Sequence, residues 1–235
     1  MSREDQFVLA SDENTQPETL LLLANIAEYQ VCYAVAQNPS TPPEALMTLA
    51  ENVSTIVRKS VAQNQNTPSN TLLKLSEDDY YEVPFYVAQN PNTPSDALLK
   101  LANDDDVVIR RSVARNPNIP IFILKLLACD SYLDVVTPVI KNRLVTQEIL
   151  QNIYVRLVNQ DKLTDMLAIE LLLHNLQLGQ TELSALVAFY EHQVGEAIAK
   201  SGQVVKNSTL DKQLLQLGLS SVYQNAEQQK RELAF

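Results

Sequence analysis

The sequence predicts an all-α protein, a solenoid of two-helix repeats with a helical C-terminal cap. Three observations predict it: a phrase recurring at a constant step, apolar residues at helical spacing inside each copy, and Thr-Pro and Asn-Pro pairs as punctuation. The phrase reads VAQNPSTPPEAL at 35–46, VAQNQNTPSNTL at 61–72 and VAQNPNTPSDAL at 87–98, and related stretches start at 9, 113 and 139, a step of 26 residues. Its first position holds Leu9, Val35, Val61, Val87, Val113 and Val139. The fourth holds Asp12, Asn38, Asn64, Asn90, Asn116 and Asn142, and the twelfth is leucine throughout, from Leu20 to Leu150. A chain that grows by repetition needs no single central core. The 235 residues are therefore read as an N-terminal extension over 1–8, six repeats over 9–160 and a cap or small subdomain over 161–235.

Each unit is two short helices. After the prolines the apolar positions run Leu46, Leu49, Ala50, and a second cluster runs Val57, Val61, Ala62; spacings of three and four line one face of a helix. At the first helix, Thr41 is expected to accept the free backbone N–H groups, Pro42 to sit where its missing N–H costs nothing, and Glu44 to cap in return. Thr67-Pro68 and Thr93-Pro94 repeat that start, with Asp96 in place of the glutamate. The second helix is expected to begin close to Pro84, which stands where other units have Arg58 and Arg110. It ends at the Asn-Pro pair, because a residue before proline is pushed out of the helical region. Helices shorter than about 12 residues are marginal alone in water, so each unit must bury its leucines and valines against its neighbours.

The stretch TPSDALLKLANDDDVVIRRSVARNPNIP, Thr93 to Pro120, resembles the variant leucine-rich repeat family, and the likeness extends over roughly 9–150. The resemblance implies a right-handed superhelix in two layers, an α-helix alternating with a 3₁₀-helix or second helix. The strand pattern LxxLxL of ordinary leucine-rich repeats is absent. One member of the family carries an iron–sulfur cluster on a cysteine-rich N-terminal segment; no cysteine precedes Cys32 here, so that cofactor is not carried over.

The pattern weakens toward its end. The fifth unit has Ile119 in place of the threonine and Pro138 near its second helix, and the sixth reads VIKNRLVTQEIL without either proline. Terminal units meet different surroundings, so such decay is expected. From about Asp161 the step fails, and segments 166–179, 182–202 and 210–233 carry helical spacing of their own.

Composition and motifs bound the function. Hydrophobic residues at 46% and charged residues at 20% suit a soluble folded chain. A net charge of -10 argues against nucleic acid, which needs clustered Lys and Arg. No apolar run is long enough to span a bilayer and no secretory signal is read at the start, so a cytoplasmic location is expected. Cys32 and Cys129 form no CxxC pair and are expected to be small buried hydrophobes. The only histidines are His174 and His192, and four glycines leave little from which to build a phosphate loop. Without HExxH, GxxxxGK or GxSxG the chain is expected to be non-enzymatic, with no cofactor and no metal.

The candidate binding residues are acidic and aromatic. Glu77, Asp78 and Asp79, and then Asp104, Asp105 and Asp106, fall in the turn between the two helices of consecutive units. Beside the first cluster stand Tyr80, Tyr81 and Glu82. Aromatic rings with a polar tip are favoured in interface cores, so this edge is read as a docking surface for another protein, with a basic or mixed peptide as its ligand. Two other readings stay open: an accessory role in metal or redox work, which rests on the resemblance alone, and nucleic-acid recognition if Arg58, Arg110, Arg111, Arg115 and Lys125 gather on one face.

Overall fold

The computed structural model describes residues 1–160. The chain divides into two compact units, Met1–Ile153 and Tyr154–Phe235; the repeats make the first, and the expected cap helices, His174 and His192 lie outside the described residues. The fold is all-α. The first helices of successive repeats are α2 (Pro17–Ala24), α4 (Pro43–Leu49), α6 (Ser69–Leu75), α8 (Ser95–Leu101), α10 (Ile121–Leu127) and α12 (Gln147–Asn159). The second helices are α3 (Tyr29–Gln37), α5 (Thr55–Gln63), α7 (Glu82–Gln89), α9 (Val107–Ala114) and α11 (Leu133–Lys141), and α1 (Arg3–Ser11) precedes them at the same register. Helix therefore already runs through the segment read as an extension. The second helices are α-helical, not 3₁₀.

Helices of the two rows alternate, and those of the second row pack directly on one another, α1 on α3, α3 on α5 and onward to α11. Between the rows lies the core. Leu20, Leu46, Leu72, Leu98 and Leu124 come from one side and Val35, Val61, Val87, Val113 and Val139 from the other, all at 0% exposure. Each such side chain contributes roughly 1.5 to 3 kcal/mol on burial, which helices of seven to nine residues need from their neighbours.

The recurring asparagine is a bracket between units. Asn64 Nδ2 donates to the carbonyls of Ala36 (2.9 Å) and Asn38 (3.0 Å) in the preceding unit, while its Oδ1 accepts the Asn66 N–H (2.9 Å). Asn90 and Asn116 repeat the arrangement one and two steps on. Asn38 reaches back to Ala10 and Asp12, and Asp12, which has no donor, ends the series. Buried carbonyls at the helix ends thereby find partners, as buried polar groups must.

The threonine before the proline does something other than cap. The N-caps of α4, α6 and α8 are Pro42, Pro68 and Pro94, without a side-chain bond. Thr41, Thr67 and Thr93 are buried, and each hydroxyl donates backwards to the carbonyl six residues earlier, Val35, Val61 and Val87. The hydroxyl thus plugs the end of the preceding second helix. Cys129 also departs from expectation: it is exposed, whereas Cys32 is buried and its thiol donates to the Ile26 carbonyl.

Candidate protein-binding face

The acidic turns are mostly absorbed by the scaffold. Asp78 receives Arg58 in a fork, Nε at 2.5 Å and Nη2 at 3.0 Å, and both side chains are largely buried. The same arginine donates to the carbonyls of Asn52 and Val53, so it ties one turn to the next. Asp78 also accepts the Tyr80 N–H, and the Tyr80 ring lies on the Arg58 guanidinium at 5.6 Å. Two repeats later the arrangement returns. Arg110 holds Asp130 and the carbonyls of Asp104 and Asp105, with Tyr132 on its guanidinium at 5.5 Å.

These pairs set the titration of their members. Burial pushes the Asp78 carboxyl up, but the Arg58 hydrogen bond, the Tyr80 N–H and the arginine's charge together outweigh it and hold the pKa below the usual carboxylate value. Arg58 and Arg110 are raised, first by their bonds to Asp78 and Asp130. Burial raises the Cys32 thiol.

The other expected residues scatter around these clamps. Asp104 accepts the Asp106 N–H and Asp106 caps α9 through the Val108 N–H. Glu77 pairs with Lys100 at the surface (2.6 Å). Asp79 and Asp105 are exposed at the turns, and Tyr80 and Tyr81 are 58% and 64% exposed. Glu82 lies 3.6 Å from Lys59, whose ammonium also sits 5.2 Å over the Tyr86 ring. The structure therefore ties Asp78, Asp104 and Asp106 into the scaffold and leaves Asp79 and Asp105 exposed, and no group of acids, histidines and cysteines among the described residues is arranged to hold a metal ion.

A different surface emerges from the second helices. Residues four apart share a helix face, and one such face of every second helix is exposed or half-buried: Tyr29, Tyr33, Gln37; Thr55, Lys59, Gln63; Tyr81, Phe85, Gln89; Val107, Arg111, Arg115. Side by side these make rows across the array. The first two rows are rich in aromatic rings, with Tyr29 and Tyr33 at 6.4 Å and Phe85 edge-on to Tyr86 at 5.0 Å. The third row is amide, Gln37, Gln63 and Gln89, and becomes cationic at Arg115 and Lys141. A shallow open groove of about 360 Å³ follows this row past Gln37, Pro39, Ser60, Gln63 and Gln65. The glutamines stood in the phrase VAQN; the step of 26 alone aligns them.

The five cations named for nucleic acid do not gather. Arg58 and Arg110 are held in clamps, and Lys125, on the first-helix row, pairs with Glu148 at 2.9 Å. Arg111 and Arg115 share the second-helix face. None of the described helices is long and apolar enough to cross a membrane.

Comparison with known proteins adds one match. Residues 81–106, one full step of the array, match the family model described as leucine rich repeat variant. No curated protein and no solved structure matches. That match falls on one unit, and the same asparagine, threonine and leucine positions recur in its neighbours: the chain is a helical-repeat protein, one unit of which is similar to the leucine rich repeat variant.

Proposed function

We propose that the chain is a non-enzymatic scaffold that binds another protein through the face of its second helices. The observation that carries this reading is the row structure: aromatic, amide and cationic side chains stand at constant register on successive helices, outside the packing that holds the array together. Tyr29 and Tyr81, 46% and 64% exposed, supply rigid amphipathic contact area of the kind that dominates interface energetics. Tyr81 belongs to this face, while Tyr80 belongs to the Arg58 clamp.

The test is capture of a partner from native extract by the full chain, followed by hydrogen-exchange mapping of the complex. Protection on α3, α5 and α7, and loss of the partner in the Tyr29→Ala, Tyr81→Ala double variant, supports the proposal. Retention by that variant, with loss in a Met47→Ala, Leu73→Ala variant of the first-helix row, overturns it.

A further inference from the structure

Arg111 and Arg115 stand apart from every other cation of the array. Among the described lysines and arginines, Arg3, Arg58, Lys59, Lys74, Lys100, Arg110 and Lys125 have acidic partners, Arg143 donates to the Pro117 carbonyl, and Lys141 and Arg156 are also engaged. The side chains of Arg111 and Arg115 have neither ion pair nor hydrogen bond. Arg111 Nε is moreover buried without an acceptor, and a desolvated donor left unmatched is destabilising. Asp134 stands 23 residues after Arg111, the spacing at which Glu82 reaches Lys59, yet the shorter side chain forms no ion pair there.

Arg111 on α9 and Arg115 at its C-terminal cap continue a row of free amides. Gln37, Gln63 and Gln89 are exposed, and each amide offers both a donor and an acceptor, the pair that a peptide group offers in return. Packed helices lie about 8 to 10 Å apart, and an extended chain advances about 3.3 Å per residue. One helix step thus matches about three residues of an extended peptide. Gln37 to Arg115 spans three steps, the length of roughly nine residues.

We propose that this face takes an extended segment of a partner protein, its backbone bridged by Gln37, Gln63 and Gln89 and an aspartate or glutamate of the segment seated on Arg111 and Arg115. The inference rests on the scaffold reading above and deepens it by naming the partner's chemistry. It reverses the charge expected from the acidic turns, where Asp78 is spent on Arg58 and Asp106 on α9. Two guanidinium groups suit one carboxylate, and guanidinium meets carboxylate in a matched planar fork. The chain's net charge of -10 meanwhile disfavours a polyanion.

The experiment is selection of a random peptide library displayed on phage against the full chain, then titration of the synthetic winners by fluorescence anisotropy. Winners are expected to carry an acidic residue, to protect α3, α5, α7 and α9 from hydrogen exchange, and to bind at least about tenfold more weakly to Arg115→Glu, as loss of a charge-assisted bond implies. Arg115 is exposed, so that variant keeps the fold, which circular dichroism verifies; Arg115→Lys should lose less. The Gln37→Ala, Gln63→Ala, Gln89→Ala variant should weaken all winners alike, because it touches backbone. Winners that protect these helices but ignore Arg115→Glu overturn this inference and leave the scaffold reading standing. A library with no binder on this face overturns both, and a mixed-sequence oligonucleotide that binds more tightly than any peptide and is released by Arg115→Glu overturns it in favour of nucleic acid.

Discussion

Asn90 shows what one side chain does for the array. Its amide donates to Ala62 and Asn64 at 2.8 and 2.9 Å and accepts the Asn92 N–H at 2.9 Å, a set that needs two donors and an acceptor on one short stem. Asn90→Ala leaves those buried groups bare and should cost about 3 kcal/mol in urea unfolding. Asn92→Ala, whose side chain donates to the Gln65 carbonyl on the exposed side of the same loop, should cost no more than about 1 kcal/mol; equal losses would refute the bracket role. The Arg58 clamp is the second device at this scale. Arg58→Ala should cost about 2 kcal/mol because it strands a nearly buried Asp78, whereas Lys74→Ala, at an exposed pair with Glu51, should cost about 0.5 kcal/mol or less. A carboxyl held below its ordinary pKa stabilises the fold above that ordinary value, near 4, and the contribution is lost as pH falls through the depressed value. The urea midpoint of the wild type should therefore drop more between neutral pH and pH 3 than that of Asp78→Asn; parallel drops would remove Asp78 from the acid response.

At the scale of the helix pair, the threonine register separates two readings of one motif. A threonine before proline looks like an N-cap, and caps tolerate aspartate well. Thr93 instead points its hydroxyl at the Val87 carbonyl from a buried site, and the fifth unit fills the same place with Ile119 at 0% exposure. Thr93→Asp should therefore destabilise by more than about 2 kcal/mol, since it buries a carboxylate against a carbonyl, whereas a capping role would make it neutral. Helix positions were legible because Leu46, Leu49, Val57 and Val61 carry their spacing inside one unit, and proline marks the boundaries locally. The role of Thr93 was not, because capping and plugging share the same residue types. Arg58 and Asp78 stand 20 residues apart, in different units, so no local pattern joins them; the acids therefore read as free charge. The rows of the second-helix face were hidden for a related reason. Gln37, Gln63 and Gln89 look like filler within one copy and become a surface only when copies are laid side by side.

At the scale of the whole array, three devices join each unit to its immediate neighbour: the asparagine bracket, the arginine clamp, and the packing of each second helix on the next. Stability in such a stack is close to a sum of unit and interface terms, so the number of units can change while the register cannot. Deleting residues 65–90 joins Asn64 to Pro91 and keeps every register position. Asn116 then meets the carbonyls of Ala62 and Asn64 in place of Ala88 and Asn90, and Arg58 meets Asp104, which occupies the place of Asp78 in the following unit. This shortened chain should unfold cooperatively in urea, with unchanged helical signal per residue in the repeats and a smaller slope, since less surface is exposed. Deleting only 65–77 puts a first helix, α8, in the place of a second and sets Lys100 where Val87 belongs. That chain should lose its cooperative transition. Folding of both deletions alike would mean that hydrophobic collapse suffices, and failure of both would mean that the array folds as one indivisible core.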